Sequence, residues 1–205
     1  MIKPSRKPYG YRDLLVYKKA EHLQLCCTEL THQFPRMKTL IAFADQMDRS
    51  ARSTKQNIVE GWKRNSTNEY YEFLGFSIGA NTELEEDCDD ICKGVYPELM
   101  GVKGVMGEMG EKGIMRDIEN LKFYPIDPSL PPVVQLKLQC KELNFLFDKL
   151  QKSLLNKMEN EHSLSSHDKF QLHEQQTKKE QDAEEAILIQ YGLKRLENGR
   201  VVKDE

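Results

Sequence analysis

Apolar residues recur along much of this chain in alternating steps of four and three. Over residues 11–34 the set Val16, Ala20, Leu23, Cys27, Leu30 and Phe34 keeps a 4-3-4-3-4 spacing, which puts them on one stripe of a helix packed against other helices. Pro35 ends that segment. Leu40, Ala44, Met47, Ala51, Thr54 and Ile58 repeat the spacing in a second helix, with Gly61 read as its C-terminal cap. Ser66 or Thr67 followed by Glu69 offers an N-cap for a third helix, whose stripe is read as Tyr70, Phe73, Ser77, Ala80 and Leu84, running on toward Ile91 and Gly94. After a long connection, Pro131 and Pro132 mark the start of a fourth, with Leu136, Cys140, Leu143, Phe147, Leu150 and Leu154 on its seam.

Alternating β-branched runs are nearly absent, so the expected fold is all-α. The pattern predicts an antiparallel up-down four-helix bundle over residues 1–160, with an additional C-terminal helix. Two segments stand outside the plain bundle. Between the third and fourth helices glycine falls at every third position from Gly101 to Gly113; without proline these triplets hold no triple helix, and residues 95–131 read as a flexible Gly-rich insertion. Residues 161–205 are charged and Gln-rich, with apolar residues gathered between Ala183 and Leu196, and read as a linker followed by a suffix helix.

The net charge of −3 hides a polarity: residues 1–64 carry +7, residues 65–130 carry −9 and residues 131–205 carry −1. A basic N-terminal part can present a cationic surface to phosphate even when the whole chain is slightly acidic. Lys18, Lys19, Arg52, Lys55, Lys63 and Arg64 are the candidate nucleic-acid-binding residues on that reading. The competing arrangement is internal. Gln46, Ser50, Ser53 and Asn57 form a polar stripe beside the apolar seam of the second helix, and Arg49 and Arg52 find natural partners in Glu83 and Glu86 of the third. A structural network of Gln46, Arg49, Ser53, Asn57, Glu60, Glu83 and Glu86 then fixes helix register.

Other chemistry is poorly represented. A carboxylate-bridged metal bundle needs two Glu-x-x-His motifs, and only Glu29 to His32 is seen, off the apolar seam. The acidic run from Glu83 to Asp90 reads as a solvated face, Cys88 and Cys92 lack companions at zinc spacing, and His162, His167 and His173 fall in the linker. No metal, cofactor or small-molecule substrate is expected. Five cysteines, two of them adjacent, make no disulfide framework, and nucleophile-elbow, P-loop, dinucleotide and zincin patterns are missing. No enzymatic activity is therefore expected. Gly75 and Gly79 read as a close helix-packing pair. The opening MIKPSRKPYGYRD has no apolar stretch to act as a signal peptide, and no window reaches membrane-spanning length, so a cytoplasmic protein is expected, with no membrane partner.

YRDLLVYKKAEHL (residues 11–23), the Phe34-Pro35 stop, QMDRSARSTKQNIVEG (46–61) with Arg64, and EYYEFLGFSIGANTELEED (69–87) resemble the four-helix-bundle proteins encoded in ribosomal-RNA intervening sequences. They are also similar to the accessory variability proteins of retroelements, and the extension looks like that of a subgroup with a C-terminal suffix. The resemblance implies an up-down four-helix protomer, a homo-oligomer (a pentamer), and no catalysis. For the retroelement relatives it also implies binding to nucleic acid and to a nucleic-acid enzyme. By motif position the signature falls on Arg49, Ser53, Asn57, Glu60, Gly61 and Arg64, with Glu83 and Glu85. The expected function is a non-catalytic oligomeric scaffold that binds RNA or DNA through its basic helix faces. The alternative is a protein–protein interaction module that uses the C-terminal helix.

Overall fold

The computed structural model describes residues 7–107 and 121–163 continuously, then short runs between residues 174 and 189, residues 193–195 and residues 201–203. A 3-10 turn, Gly10–Asp13, leads into α1 (Leu15–Thr31), followed by α2 (Lys38–Lys63) and α3 (Thr67–Cys92). The single turn α4 (Lys103–Met106) and the long α5 (Pro132–Ser163) come next. Helices α1, α2, α3 and α5 form a closed ring in which each packs on two neighbours, α5 closing back on α1. All four adjacent pairs run antiparallel: Thr28 reaches Asp48, Ser50 reaches Glu83, Asn81 reaches Asn144, and Lys19 reaches Glu142. This is the up-down four-helix bundle that the apolar spacing predicts.

The stripes of α1 and α2 hold almost residue for residue: Val16, Ala20, Leu23, Cys27, Leu30 and Phe34 are buried, as are Leu40, Met47, Ala51, Thr54 and Ile58, while Ala44 is half-buried. The stripe of α3 needs correction. Its core positions are Tyr70, Leu74, Ser77, Asn81, Leu84, Cys88 and Ile91, so Leu74 and Asn81 replace the expected Phe73 and Ala80. A polar Asn81 on the seam disguised the register, and its burial is explained by the partners it finds on α5.

Helix ends follow local chemistry. Ser66 caps α3, its hydroxyl accepting from the amide of Glu69 at 3.1 Å while the Glu69 carboxylate accepts from the Ser66 amide at 3.2 Å, which satisfies two amides that a helix start leaves unpaired. At the other end Gly94 takes φ +78; its amide donates to Ile91 and that of Val95 to Asp90, each at 3.0 Å, the double closure of a left-handed glycine stop. Gly61 is not a cap. It lies inside α2, where an added Cβ would come within 2.7 Å of Cβ of Phe73 and 2.8 Å of Cδ2 of Tyr70, so its lack of a side chain lets the first turns of α3 pack close.

The segment expected to be a flexible insertion is anchored at its described ends. Leu99, Val105 and Met106 are buried in the core, and Tyr96 stacks on Phe43 with ring centroids 4.1 Å apart, capping the α2–α3 end of the bundle. Residues 108–120 lie outside the described residues. So does much of the suffix, but Glu174, Glu185, Ile189 and the other described positions between them are helical, in keeping with an added C-terminal helix. A short antiparallel pair follows, β1 (Leu193–Arg195) with β2 (Val201–Lys203). Strands of three residues are too short for alternation to register in a sequence.

Candidate nucleic-acid interface

The amino-terminal segment is fastened over the carboxyl end of α2. The indole of Trp62 donates to the carbonyl of Lys7 at 3.2 Å, and the ammonium of Lys63 donates to that of Pro8 at 2.5 Å. Tyr11 is buried edge-to-face against Tyr17, centroids 4.9 Å apart. Between these anchors Tyr9 points outward, 63% exposed, with Arg12 5.1 Å and Lys63 5.0 Å from its ring centroid. Beside it the Arg64 guanidinium lies 4.4 Å over the ring of Phe73.

The six candidate cations divide between surfaces. Lys63 and Arg64 lie at this end of the bundle, and Lys18, in the first turn of α1, is exposed at the same end. Arg52 is exposed farther along α2. Lys55 is half-buried, seven residues from both Asp48 and Trp62 and so on the edge of α2 that faces α1. Lys19 departs from expectation: it turns to α5, pairing with Glu142 at 2.8 Å and lying 5.8 Å from the Tyr124 centroid. It spans two helices and is the weakest member of a phosphate-facing set. Tyr9 and Arg12 were missed, because an aromatic and a cation in a 3-10 turn give no helical period; the Tyr-Gly-Tyr-Arg run itself was the available signal.

The expected α2–α3 ion-pair network does not form. Arg49 pairs within its own helix, to Asp45 at 2.7 Å. Gln46, Arg52, Ser53, Glu60 and Glu86 are exposed and Asn57 is half-buried. The polar residue that faces α3 is Ser50, which is buried and donates to Glu83 at 3.1 Å. Arg49 and Arg52 flank that position and point away from the helix contact. Register is instead fixed on other faces. Asn81 donates to the Cys140 carbonyl and to Asn144, each at 2.8 Å, and Asn144 donates to Glu85 at 3.0 Å. Asp48 accepts from Thr28 at 3.0 Å and Thr31 at 3.1 Å, tying α1 to α2, and Asp89 pairs with both Lys137 of α5 and Lys93.

The acidic run of α3 is thus divided among tasks. Burial acts to raise the Asp89 carboxyl, but hydrogen bonds from Lys137 and Lys93 outweigh it and hold the group below its ordinary value. Burial pushes Glu85 up. Asp87 is pushed up to about 6, first by burial and then by the neighbouring Asp90 and Glu83. Burial likewise pushes up the thiols of Cys27, Cys88, Cys92 and Cys140, which suits packing and not nucleophilic chemistry. Among the described residues no group of three His, Cys, Asp or Glu side chains is placed to hold a metal ion, and no helix is long and apolar enough to cross a membrane. Glu29 and His32 are both exposed. Gly75 and Gly79 do not serve internal packing, because a Cβ added at either would meet nothing within 4 Å.

Comparison with known proteins finds a match to the first three helices. Residues 12–93 match the model of the 23S rRNA-intervening sequence protein family. The resemblance carried by the first three helices is therefore borne out from Arg12 to Lys93, the C-cap of α3. Within the intervening-sequence match lie Arg12, Lys18, Arg52, Lys55, Lys63 and Arg64, while α5 lies beyond it. No curated protein and no solved structure matches the chain.

Proposed function

We propose that this protein is a non-catalytic oligomeric scaffold that binds RNA or DNA through the basic faces of α1 and α2. The observation that carries the reading is how the acidic run is spent. Glu83 serves Ser50, Glu85 serves Asn144 and Asp89 serves Lys137 and Lys93. None of these carboxylates takes Lys18, Arg52, Lys55 or Arg64, so the positive charge of residues 1–64 is not cancelled by the helix next to it. Cations left facing water are what counter-ion release requires.

Assembly would use the outer face of α3. Phe76 is 60% exposed there, and the bare backbone at Gly75 and Gly79 has open space over it; an exposed phenyl ring between two glycines is a flat, partly apolar surface suited to a second copy. A ring of copies would repeat the basic end and so raise avidity for a long polyanion. Filter binding of RNA by the full chain, at low and at physiological salt, tests the reading. It expects retention that falls steeply with salt; absent or salt-insensitive retention contradicts it.

A further inference from the structure

We propose that the basic end of the bundle takes single-stranded nucleic acid, with one base stacked on Tyr9 and the flanking phosphates held by Arg12, Lys63 and Arg64. The proposal rests on the nucleic-acid reading and narrows it to an unpaired strand. Its starting point is the placement of Tyr9. The ring is 63% exposed, yet the backbone on both sides of it is fastened. Lys7 and Pro8 are held by Trp62 and Lys63 on one side, and Tyr11 is buried two residues on. Gly10 makes the fastening possible: a Cβ there would lie 2.8 Å from Cζ2 of Trp62, so only glycine lets the chain pass this close to the indole. The ring is thus presented on a rigid support, which lowers the ordering cost of stacking.

Charge around the ring fits a nucleotide. Arg12 and Lys63 each lie over the Tyr9 ring, about 5 Å from its centroid, so a base takes a face of the ring as the cation over it swings aside to a neighbouring phosphate. Arg64 stands on the adjoining Phe73 ring and continues the positive surface toward α3. Glu69, in the first turn of α3, is engaged in the Ser66 cap. A base reaches such a platform only when unpaired, because in a duplex both faces are covered by neighbouring pairs. Cations beside a stacking ring are the general arrangement for sequence-tolerant single-strand binding.

Trp62, the chain's single tryptophan, touches the segment that carries Tyr9 and reports on the site. The experiment titrates the full chain, by anisotropy and by Trp62 fluorescence, with a labelled 12-nucleotide single-stranded RNA and with the same sequence as a duplex. The proteins compared are wild type, Tyr9→Ala, Tyr9→Phe and Arg64→Ala. Tyr9→Ala should weaken single-strand binding about tenfold and leave duplex binding unchanged. Tyr9→Phe should keep wild-type affinity, and Arg64→Ala should weaken both forms. Tyr9→Ala binding the single strand as well as wild type, while Arg64→Ala weakens it, would overturn the stacking site and leave the broader nucleic-acid reading standing. Absence of binding to either form would overturn both.

Discussion

Gly10 and Trp62 are built around one another: the Cβ that Gly10 lacks would fall 2.8 Å from the indole edge, and the indole nitrogen in turn holds the Lys7 carbonyl at 3.2 Å. A branched side chain at position 10 must push the amino-terminal segment off α2. Gly10→Val is expected to destabilise the fold by about 1–2 kcal/mol through overpacking and to red-shift Trp62 emission as the ring gains water. Urea unfolding followed by tryptophan fluorescence measures both.

The glycines of α2 and α3 should respond in opposite directions. Gly61 is pressed against Phe73 and Tyr70, so Gly61→Ala should cost about 1–3 kcal/mol. Gly79 has open space over it, and Gly79→Ala should stabilise the isolated protomer by about 0.5–1 kcal/mol, since alanine is the better helix former. A bulkier Gly79→Leu should lower the oligomer mass in multi-angle light scattering if the outer face of α3 joins copies. An unchanged mass would place assembly elsewhere.

Asn81 is a buried polar side chain whose amide hydrogens are both used, on Cys140 and on Asn144. Asn81→Leu keeps the branched outline but leaves the Cys140 carbonyl and the Asn144 amide oxygen without their donor. The expected loss is about 1–3 kcal/mol, seen as a lower urea midpoint. The double variant Asn81→Leu with Asn144→Leu should lose less than the sum of the two single changes.

Asp87 sets a pH dependence whose sign follows from its upward shift. Its carboxyl, at about 6 in the folded chain against an ordinary 3.8, keeps its proton longer when folded, so this group's contribution to stability falls as pH rises from about 4 to 6. Asp87→Asn removes that penalty. Because the group is only half-buried, the gain over wild type at pH 7.5 should be on the order of 1 kcal/mol, shrinking toward zero near pH 3.5. Urea midpoints at the two pH values give the comparison, and an equal effect at both would show that the carboxyl titrates normally.

Most of the bundle is legible in the apolar spacing, because α1, α2 and α5 bury nearly all of their predicted stripes and Pro35, Ser66 and Pro132 mark helix boundaries. The register of α3 was misread where Asn81 occupies a core position; a buried amide looks like a surface residue until its partner on another helix is known. The same limit applies to the polar contacts. Ser50 with Glu83 and Asp48 with Thr28 pair residues far apart in sequence, whereas the more conspicuous Arg49 stays on its own helix. Six cations were visible as a composition, yet their division between the basic end, the outer face of α2 and the α5 contact at Glu142 depends on helix rotation. Tyr9 and Arg12 sit in a turn without periodicity, and their role emerges only once Trp62 fixes the backbone beneath them.

The central claim is that cations of α1 and α2 bind nucleic acid through phosphate contacts. It is tested most directly by the salt dependence of RNA affinity for wild type and for a variant with alanine at Lys18, Arg52, Lys55 and Arg64. Binding of wild type should weaken linearly in a plot of log affinity against log salt, and the variant should show a shallower slope, by roughly 0.7–0.9 for each phosphate contact removed. A variant that binds as tightly as wild type, with the same slope, would contradict the account.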